Sequence, residues 1–119
     1  MGHTDSLVVA DCGLSVPNGV ECIDVSLAFG DPGFVHVLDS ILADFGADRA
    51  IFAEEALEHN PTVAQRASRL ALDTIRVEYV PHETLKNLTR HARAIIRTGE
   101  ATPYANAILF SSVIFGSKT

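Results

Sequence analysis

Side chains capable of proton transfer and hydrogen bonding occur at several places in this chain, two of them directly after predicted strands. Asp11 and His82 each follow such a strand, and Tyr104 and Asn106 lie in a polar loop near the carboxyl end. Histidine can donate and accept a proton near neutral pH, and the other three side chains can hydrogen-bond hydroxyl groups. A pocket of these four residue types suits a neutral polyhydroxylated ligand.

Each candidate also has an ordinary structural explanation, so spacing alone leaves the function open. Asp11 could form a turn, which is a common use of aspartate. His82 lies in the first turn of a predicted helix, and Lys86 follows on the same helix face, where a solvated lysine is usual. Tyr104 and Asn106 could belong to a turn as well.

Hydrophobic periodicity predicts strands and helices that alternate along the chain. Apolar or alternating stretches predict five strands: 7–10, 21–25, 49–55, 74–80 and 107–115. Apolar residues three and four positions apart predict three helices: 31–45, 60–72 and 82–96. In the first helix we expect Asp31 as N-cap, Pro32 at the first helical position and Gly46 as C-cap.

This alternation predicts an α/β fold, a layered sandwich in which helices flank a largely parallel central sheet. Ligands of such sheets bind beyond the carboxyl ends of the strands. Asp11 and His82 should therefore converge at one end of the sheet. The polar loop 97–106 precedes its strand, so this rule does not place it at the same end.

Composition narrows the classes of function. The chain has 119 residues, a net charge of −6 and 47% hydrophobic residues. Its lysines and arginines are scattered, which argues against binding to nucleic acid or anionic membranes. No segment reaches the roughly 20 apolar residues of a membrane span, and no signal peptide is evident, which favours a cytoplasmic protein. The high apolar content of so short a chain favours burial of surface between subunits.

Cysteine and histidine spacing does not support a metal site or a disulfide framework. We expect Cys12 and Cys22 to be free thiols, and the five histidines are too widely spread for a zinc site. His59 and His91 have no evident partner in the sequence. The pair Glu54–Glu55 is interpreted as a solvated strand end.

Four blocks of sequence, in order, resemble the D-ribose pyranase family. They span nearly the whole chain: GHTDSLVVADCGLSVP (2–17), AEEALEHNP (53–61), VPHETLK (80–86) and RTGEATPYANAIL (97–109). The related L-fucose mutarotase family is less similar in the first block. The chain begins directly on the Gly-His-Thr-Asp motif, whereas family members usually carry a short segment before it. We therefore expect one domain over 1–119 that lacks this leader.

The resemblance implies roles for individual residues. His3 matches the catalytic histidine of the family. The matching substrate-binding positions are Asp11, His82, Lys86, Tyr104, Ala105 and Asn106. The family is cytoplasmic, uses no metal or other cofactor and forms homodecamers of two stacked pentameric rings, which would account for the apolar excess.

The implied activity is interconversion of the pyranose and furanose forms of D-ribose through acid/base-assisted ring opening and closure. Two alternatives remain open at the level of sequence. One is an L-fucose-type sugar mutarotase, and the other is a non-catalytic sugar-binding or assembly protein.

Overall fold

The computed structural model describes residues 5–111, which form a sheet with helices on both of its faces. The described strands are β1 (Asp5–Ala10), β2 (Glu21–Asp24), β3 (Arg49–Ala53), β4 (Arg76–Val80), β5 (Ala94–Arg97) and β6 (Ala107–Ser111). The helices are α1 (Phe34–Leu42), α2 (Ala56–His59), α3 (Pro61–Leu72) and α4 (His82–Leu88). A short 3₁₀ turn, Thr89–His91, follows α4.

The strand order in the sheet is β2-β5-β1-β6-β3-β4. Strand β1 pairs in parallel with β5, β5 with β2, and β3 with β4. Strand β6 lies between β1 and β3 and is antiparallel to both. The predicted α/β class with a largely parallel sheet is therefore confirmed.

Alternate residues of the central strands supply two hydrophobic clusters, one on each face of the sheet. On one face, Val9 packs in a cluster with Phe34 of α1 and Leu70 of α3. On the other face, Val8 belongs to a cluster with Leu85 of α4. Each helix turns one apolar stripe toward the sheet, which produces the layered arrangement that the sequence predicted.

Helix α1 begins later than predicted. Asp31 is not its N-cap, because the Asp31 carbonyl accepts hydrogen bonds from the N–H groups of Leu27 and Ala28 and so belongs to the preceding turn. The N-cap is Gly33, and α1 ends at Leu42 rather than near Gly46. The apolar stripe itself is correct, since Phe34, Val37 and Leu38 are buried.

The helix predicted over 82–96 is wrong in its second half. It ends at Leu88, and the 3₁₀ turn leads into Ala92, whose backbone is extended. The following segment is β5, an interior strand that the sequence reading missed. Ala92 and Ile95 matched a helical spacing by coincidence, and two adjacent β-branched residues, Ile95 and Ile96, were the available strand signal.

The other predicted elements are confirmed within the described residues. All five predicted strands are present, although the part of 107–115 beyond Ser111 lies outside the described residues. Helix α3 begins as expected, because the Asn60 side chain accepts a hydrogen bond from the Val63 N–H and Pro61 occupies the first turn. Among residues 5–111, the longest helices are too short or too polar to cross a membrane.

Candidate functional site

A cleft of about 440 Å³ lies at the end of the sheet where β1, β4 and β5 finish. Three segments line it: the turn after β1 (Asp11, Cys12, Gly13, Leu14 and Ser15), the start of α4 (His82 and Lys86), and the loop before β6 (Glu100, Ala101, Thr102, Pro103 and Tyr104).

The polar loop reaches this end of the sheet because of the directions of β5 and β6, which the sequence did not reveal. Strand β5 is parallel to β1, so the loop leaves β5 at the same end of the sheet at which Asp11 follows β1. Strand β6 is antiparallel, so its first residue, Ala107, also lies at that end, opposite Val9. The loop before β6 therefore meets the turn after β1.

Asp11 is bound on two sides by the side chain of Asn106. The Asp11 N–H donates to Asn106 Oδ1 at 2.9 Å, and Asn106 Nδ2 donates to Asp11 Oδ2 at 3.3 Å. Asp11 Oδ1 accepts from the Gly13 N–H at 3.0 Å, which closes the turn. Asn106 is fully buried behind Asp11. The amide therefore sets the orientation of the carboxylate at the cleft.

The Asp11 carboxyl has a raised pKa. Burial is the largest cause, and it outweighs the hydrogen bonds from Gly13, Asn106 and Ala105 and the favourable field of His82. A carboxyl group in this environment accepts a proton more readily than a solvated aspartate does. Asp11 can thus serve as a hydrogen-bond acceptor for a hydroxyl group or take part in proton transfer.

The Tyr104 ring is close to two imidazole rings. Its ring centroid is 5.2 Å from that of His82, in an edge-to-face arrangement, and 5.8 Å from that of His59. Tyr104 also has a φ of 61°, a left-handed conformation that is unfavourable for a tyrosine. Such a conformation persists only where the surroundings stabilise it, and it is common at binding sites.

The backbone of His82 is bound by a carboxylate from the turn after β3. Glu55 Oε1 accepts a hydrogen bond from the backbone N–H of His82 at 2.9 Å, at the first turn of α4. Within the described residues, His82 Nδ1 is buried and has no hydrogen-bond partner. Lys86, one turn later, lies 3.4 Å from Glu83. The imidazole and the ammonium group both border the cleft.

The structure brings four of the predicted site residues, Asp11, His82, Lys86 and Tyr104, to the lining of one cleft. Ala105 and Asn106 are buried beside it and do not line it. His3 lies outside the described residues. No group of three or more His, Cys, Asp or Glu side chains in the described part of the chain could hold a metal ion.

Three residues near the site were missed by sequence reasoning. Glu55 was interpreted as a solvated strand end, yet it binds the backbone of His82. His59, which had no evident partner, contacts Tyr104. Glu100 was not singled out, although its carboxylate binds both α1 and the cleft loop. A sequence signal was present only for Glu100, as a single acidic residue in a loop between apolar strands.

Sequence comparison agrees with this architecture. Residues 1–114 match the RbsD / FucU transport protein family. The D-ribose pyranase of Chromobacterium violaceum is 59% identical over 115 residues, which cover 97% of this chain and 87% of that protein. The D-ribose pyranase of Halalkalibacterium halodurans is 56% identical over the same shares of the two chains. The chain belongs to the RbsD / FucU family.

Solved structures give the same fold. The structure of Bacillus subtilis RbsD complexed with D-ribose has a TM-score of 0.89 and 43% identity, and the match covers 97% of this chain and 87% of that one. The fucose mutarotase from Streptococcus pneumoniae in complex with L-fucose has a TM-score of 0.65 and 26% identity, over 96% and 86% of the two chains. The ribose-bound relative is thus the more similar of these two.

Proposed function

We propose that this protein is a D-ribose pyranase, an isomerase that interconverts the pyranose and furanose forms of D-ribose. The observation that carries the proposal is the convergence of Asp11, His82, Lys86 and Tyr104 on one cleft. The similarity to relatives named D-ribose pyranase and to a ribose-bound structure supports ribose as the sugar.

The reaction needs proton transfer and positioning. To open the ring, the anomeric hydroxyl loses a proton, the bond from the anomeric carbon to the ring oxygen breaks, and that oxygen gains a proton. The open-chain aldehyde then closes through a different hydroxyl by the reverse steps. General acid/base catalysis typically contributes about 10²–10⁴-fold to such reactions.

His3 is the proposed general acid/base. Its imidazole would accept the anomeric proton and return one to the ring oxygen, since its ordinary pKa lies close to neutral. Asp11 would bind a sugar hydroxyl or orient His3. His82, Lys86 and Tyr104 would hydrogen-bond other hydroxyls, and Tyr104 also offers an apolar ring face. Ala105 and Asn106 also belong to the proposed binding set; both are buried behind the cleft, where the Asn106 amide supports Asp11.

The proposal includes a cytoplasmic location and a homodecamer of two pentameric rings. Exposed apolar side chains support association between subunits. Leu27 and Phe29 are 84% and 85% exposed, and Ile23 on the edge strand β2 is 45% exposed. Ile23 and Leu27 also line one apolar groove together with Val25, and an exposed apolar surface of this kind is typical of a protein–protein contact.

Saturation-transfer NMR on D-ribose and L-fucose, side by side, tests the activity. We expect the protein to accelerate exchange between ribose pyranose and furanose. Acceleration of fucose anomer exchange alone would instead identify an L-fucose-type mutarotase. Binding of ribose without faster exchange would identify a sugar-binding protein.

The assignment of His3 is tested with two histidine variants. We expect His3→Ala to slow ribose exchange by about 10²-fold or more while ribose still binds. His91→Ala is the matched control, because His91 is an exposed histidine that does not line the cleft. If His3→Ala exchanges ribose as fast as the intact protein, His3 is not the general acid/base.

A further inference from the structure

The Glu100 carboxylate connects the cleft loop to the beginning of α1. Its Oε1 accepts a hydrogen bond from the Phe34 N–H at 2.8 Å. Its Oε2 accepts from the Thr102 hydroxyl at 2.7 Å and from the Thr102 N–H at 3.2 Å. The N-cap of α1, Gly33, provides no side-chain hydrogen bond. A residue 66 positions away along the chain therefore satisfies this helix end.

The hydrogen bonds continue from Thr102 into the base of the loop. Asn60 Nδ2 donates to Thr102 Oγ1 at 2.9 Å and to the Pro103 carbonyl at 2.8 Å. The Asn60 side chain is buried and also accepts from the Val63 N–H at the start of α3. Because the Thr102 hydroxyl accepts from Asn60, its own proton points to Glu100. The network requires an acceptor at Glu100, which an ionised carboxylate supplies.

The backbone of Glu100 contacts the other wall of the cleft. Its carbonyl accepts a hydrogen bond from the Cys12 N–H at 3.0 Å, next to Asp11. Its N–H donates to the Thr98 hydroxyl at 3.0 Å, and that hydroxyl donates to the Ala10 carbonyl at 2.8 Å. Glu100 thus joins the turn after β1 to the loop that carries Tyr104.

Electrostatics agree with an ionised carboxylate at this position. Burial alone would raise the pKa of Glu100. Hydrogen bonds from Phe34, Thr102 and Ala101 together outweigh this effect, so the pKa lies below its ordinary value. Charge-assisted hydrogen bonds of this kind are stronger than those between neutral groups.

We propose that Glu100 is a positioning residue of the sugar cleft, whose carboxylate keeps the loop 100–106 against α1 so that Tyr104 and Asp11 face the same ligand. This inference rests on the proposed function for the identity of the ligand, and the geometry of the loop is independent of it. Loss of the carboxylate should weaken ribose binding more than it slows the proton transfers.

Two substitutions at Glu100 and one elsewhere test the proposal through the dissociation constant of ribose and the exchange rate at saturating ribose. We expect Glu100→Ala to weaken binding about tenfold, whereas the saturated exchange rate stays within about twofold. Glu100→Gln retains an acceptor for the Phe34 N–H but loses the hydrogen bonds from Thr102. We therefore expect it to weaken ribose binding about threefold. Glu21→Gln removes an equal charge from the exposed edge strand and should change neither quantity.

Amide hydrogen exchange without ribose gives a second readout, which does not depend on the activity. In Glu100→Ala the Phe34 N–H should exchange at least about tenfold faster than in the intact protein. Unchanged protection of Phe34 would overturn the proposal even if no sugar were a substrate. If the intact protein neither bound nor exchanged ribose, the proposed function would fail, while this measurement would still decide the role of Glu100.

Two other outcomes also bear on the proposal. Ribose binding by Glu100→Ala as tight as that of the intact protein would overturn it. A large loss of the saturated exchange rate with unchanged binding would overturn it as well, because Glu100 would then act in the chemistry. If Glu100→Ala does not fold, Thr102→Val removes only the two hydrogen bonds of the hydroxyl, the one to Glu100 and the one from Asn60, and about threefold weaker ribose binding is the expected result.

Discussion

The side-chain amide of Asn106 binds both the backbone and the carboxylate of Asp11, although the two residues are 95 positions apart in sequence. One side chain therefore satisfies a backbone donor and orients an acidic group at the cleft. Asn106 is fully buried, so water cannot replace these bonds without a rearrangement.

Asn106→Ala should lower the free energy of unfolding by about 2–3 kcal/mol, because the Asp11 N–H and carboxylate would lose buried partners. Urea denaturation measures this change. Asn87→Ala is the control, since Asn87 is an exposed asparagine on α4 and its removal should change stability by less than about 0.5 kcal/mol. Equal stability of the two variants would mean that the pair with Asp11 contributes little.

The stabilising effect of Glu100 should depend on pH. Its pKa in the folded protein is below the ordinary value, so the folded state favours the ionised form. Its contribution is present above the unfolded pKa of about 4.3 and is lost as the pH falls through the lower folded pKa. We expect Glu100→Gln to be less stable than the intact protein at pH 7 and the difference to shrink below about pH 4. Unfolding curves of both proteins across this range check the trend, and a difference independent of pH would contradict it.

Gly99→Ala should be destabilising, because Gly99 lies directly against the backbone of the turn before α1. A Cβ at Gly99 would lie 2.5 Å from the carbonyl oxygens of Ala28 and Asp31. Since backbone must move to relieve this overlap, we expect a loss of about 1–3 kcal/mol in thermal or urea unfolding.

Gly46→Ala is the matched control for that substitution. Nothing lies within 4 Å of a Cβ at Gly46. Because alanine restricts the unfolded chain more than glycine does, this variant should be neutral or more stable by up to about 1 kcal/mol. Comparable losses at both positions would show that contact with the turn is not the cause.

A phosphorylated pentose should bind more weakly than ribose. Two acidic side chains, Asp11 and Glu100, line the cleft, and the ammonium group of Lys86 lies 3.4 Å from the Glu83 carboxylate. A phosphate group would therefore meet more negative than positive charge among the described lining residues. Calorimetric titration with ribose and ribose 5-phosphate tests this, and higher salt should narrow the difference by screening. Tighter binding of the phosphate ester would contradict the expectation.

The sequence predicted the elements that carry a clear periodicity and missed those that depend on their neighbours. Helix α3 was correct because Asn60 and Pro61 start it locally. Strand β5 was missed because it has four residues and matches a helical spacing. Its extended backbone is stabilised by pairing with β1 and β2 on either side, which a local pattern cannot reveal.

The candidate site was predicted in part for the same reason. Asp11 and His82 follow strands of the parallel set, so the general rule for such sheets brought them together. Tyr104 could not be placed by that rule, because its loop precedes a strand whose antiparallel direction is a property of the whole sheet. Glu55 and Glu100 bind backbone groups 27 and 66 positions away, and no spacing in the sequence indicates such pairs.

The position of β6 has a consequence for synthesis of the protein. It is the last strand of the described chain, yet it lies between β1 and β3 and joins the two halves of the sheet. A nascent polypeptide that has not yet released this segment from the ribosome lacks hydrogen-bond partners along the inner edges of both halves. Sugar-binding competence should therefore arise only after β6 has been synthesised and has inserted between strands made much earlier.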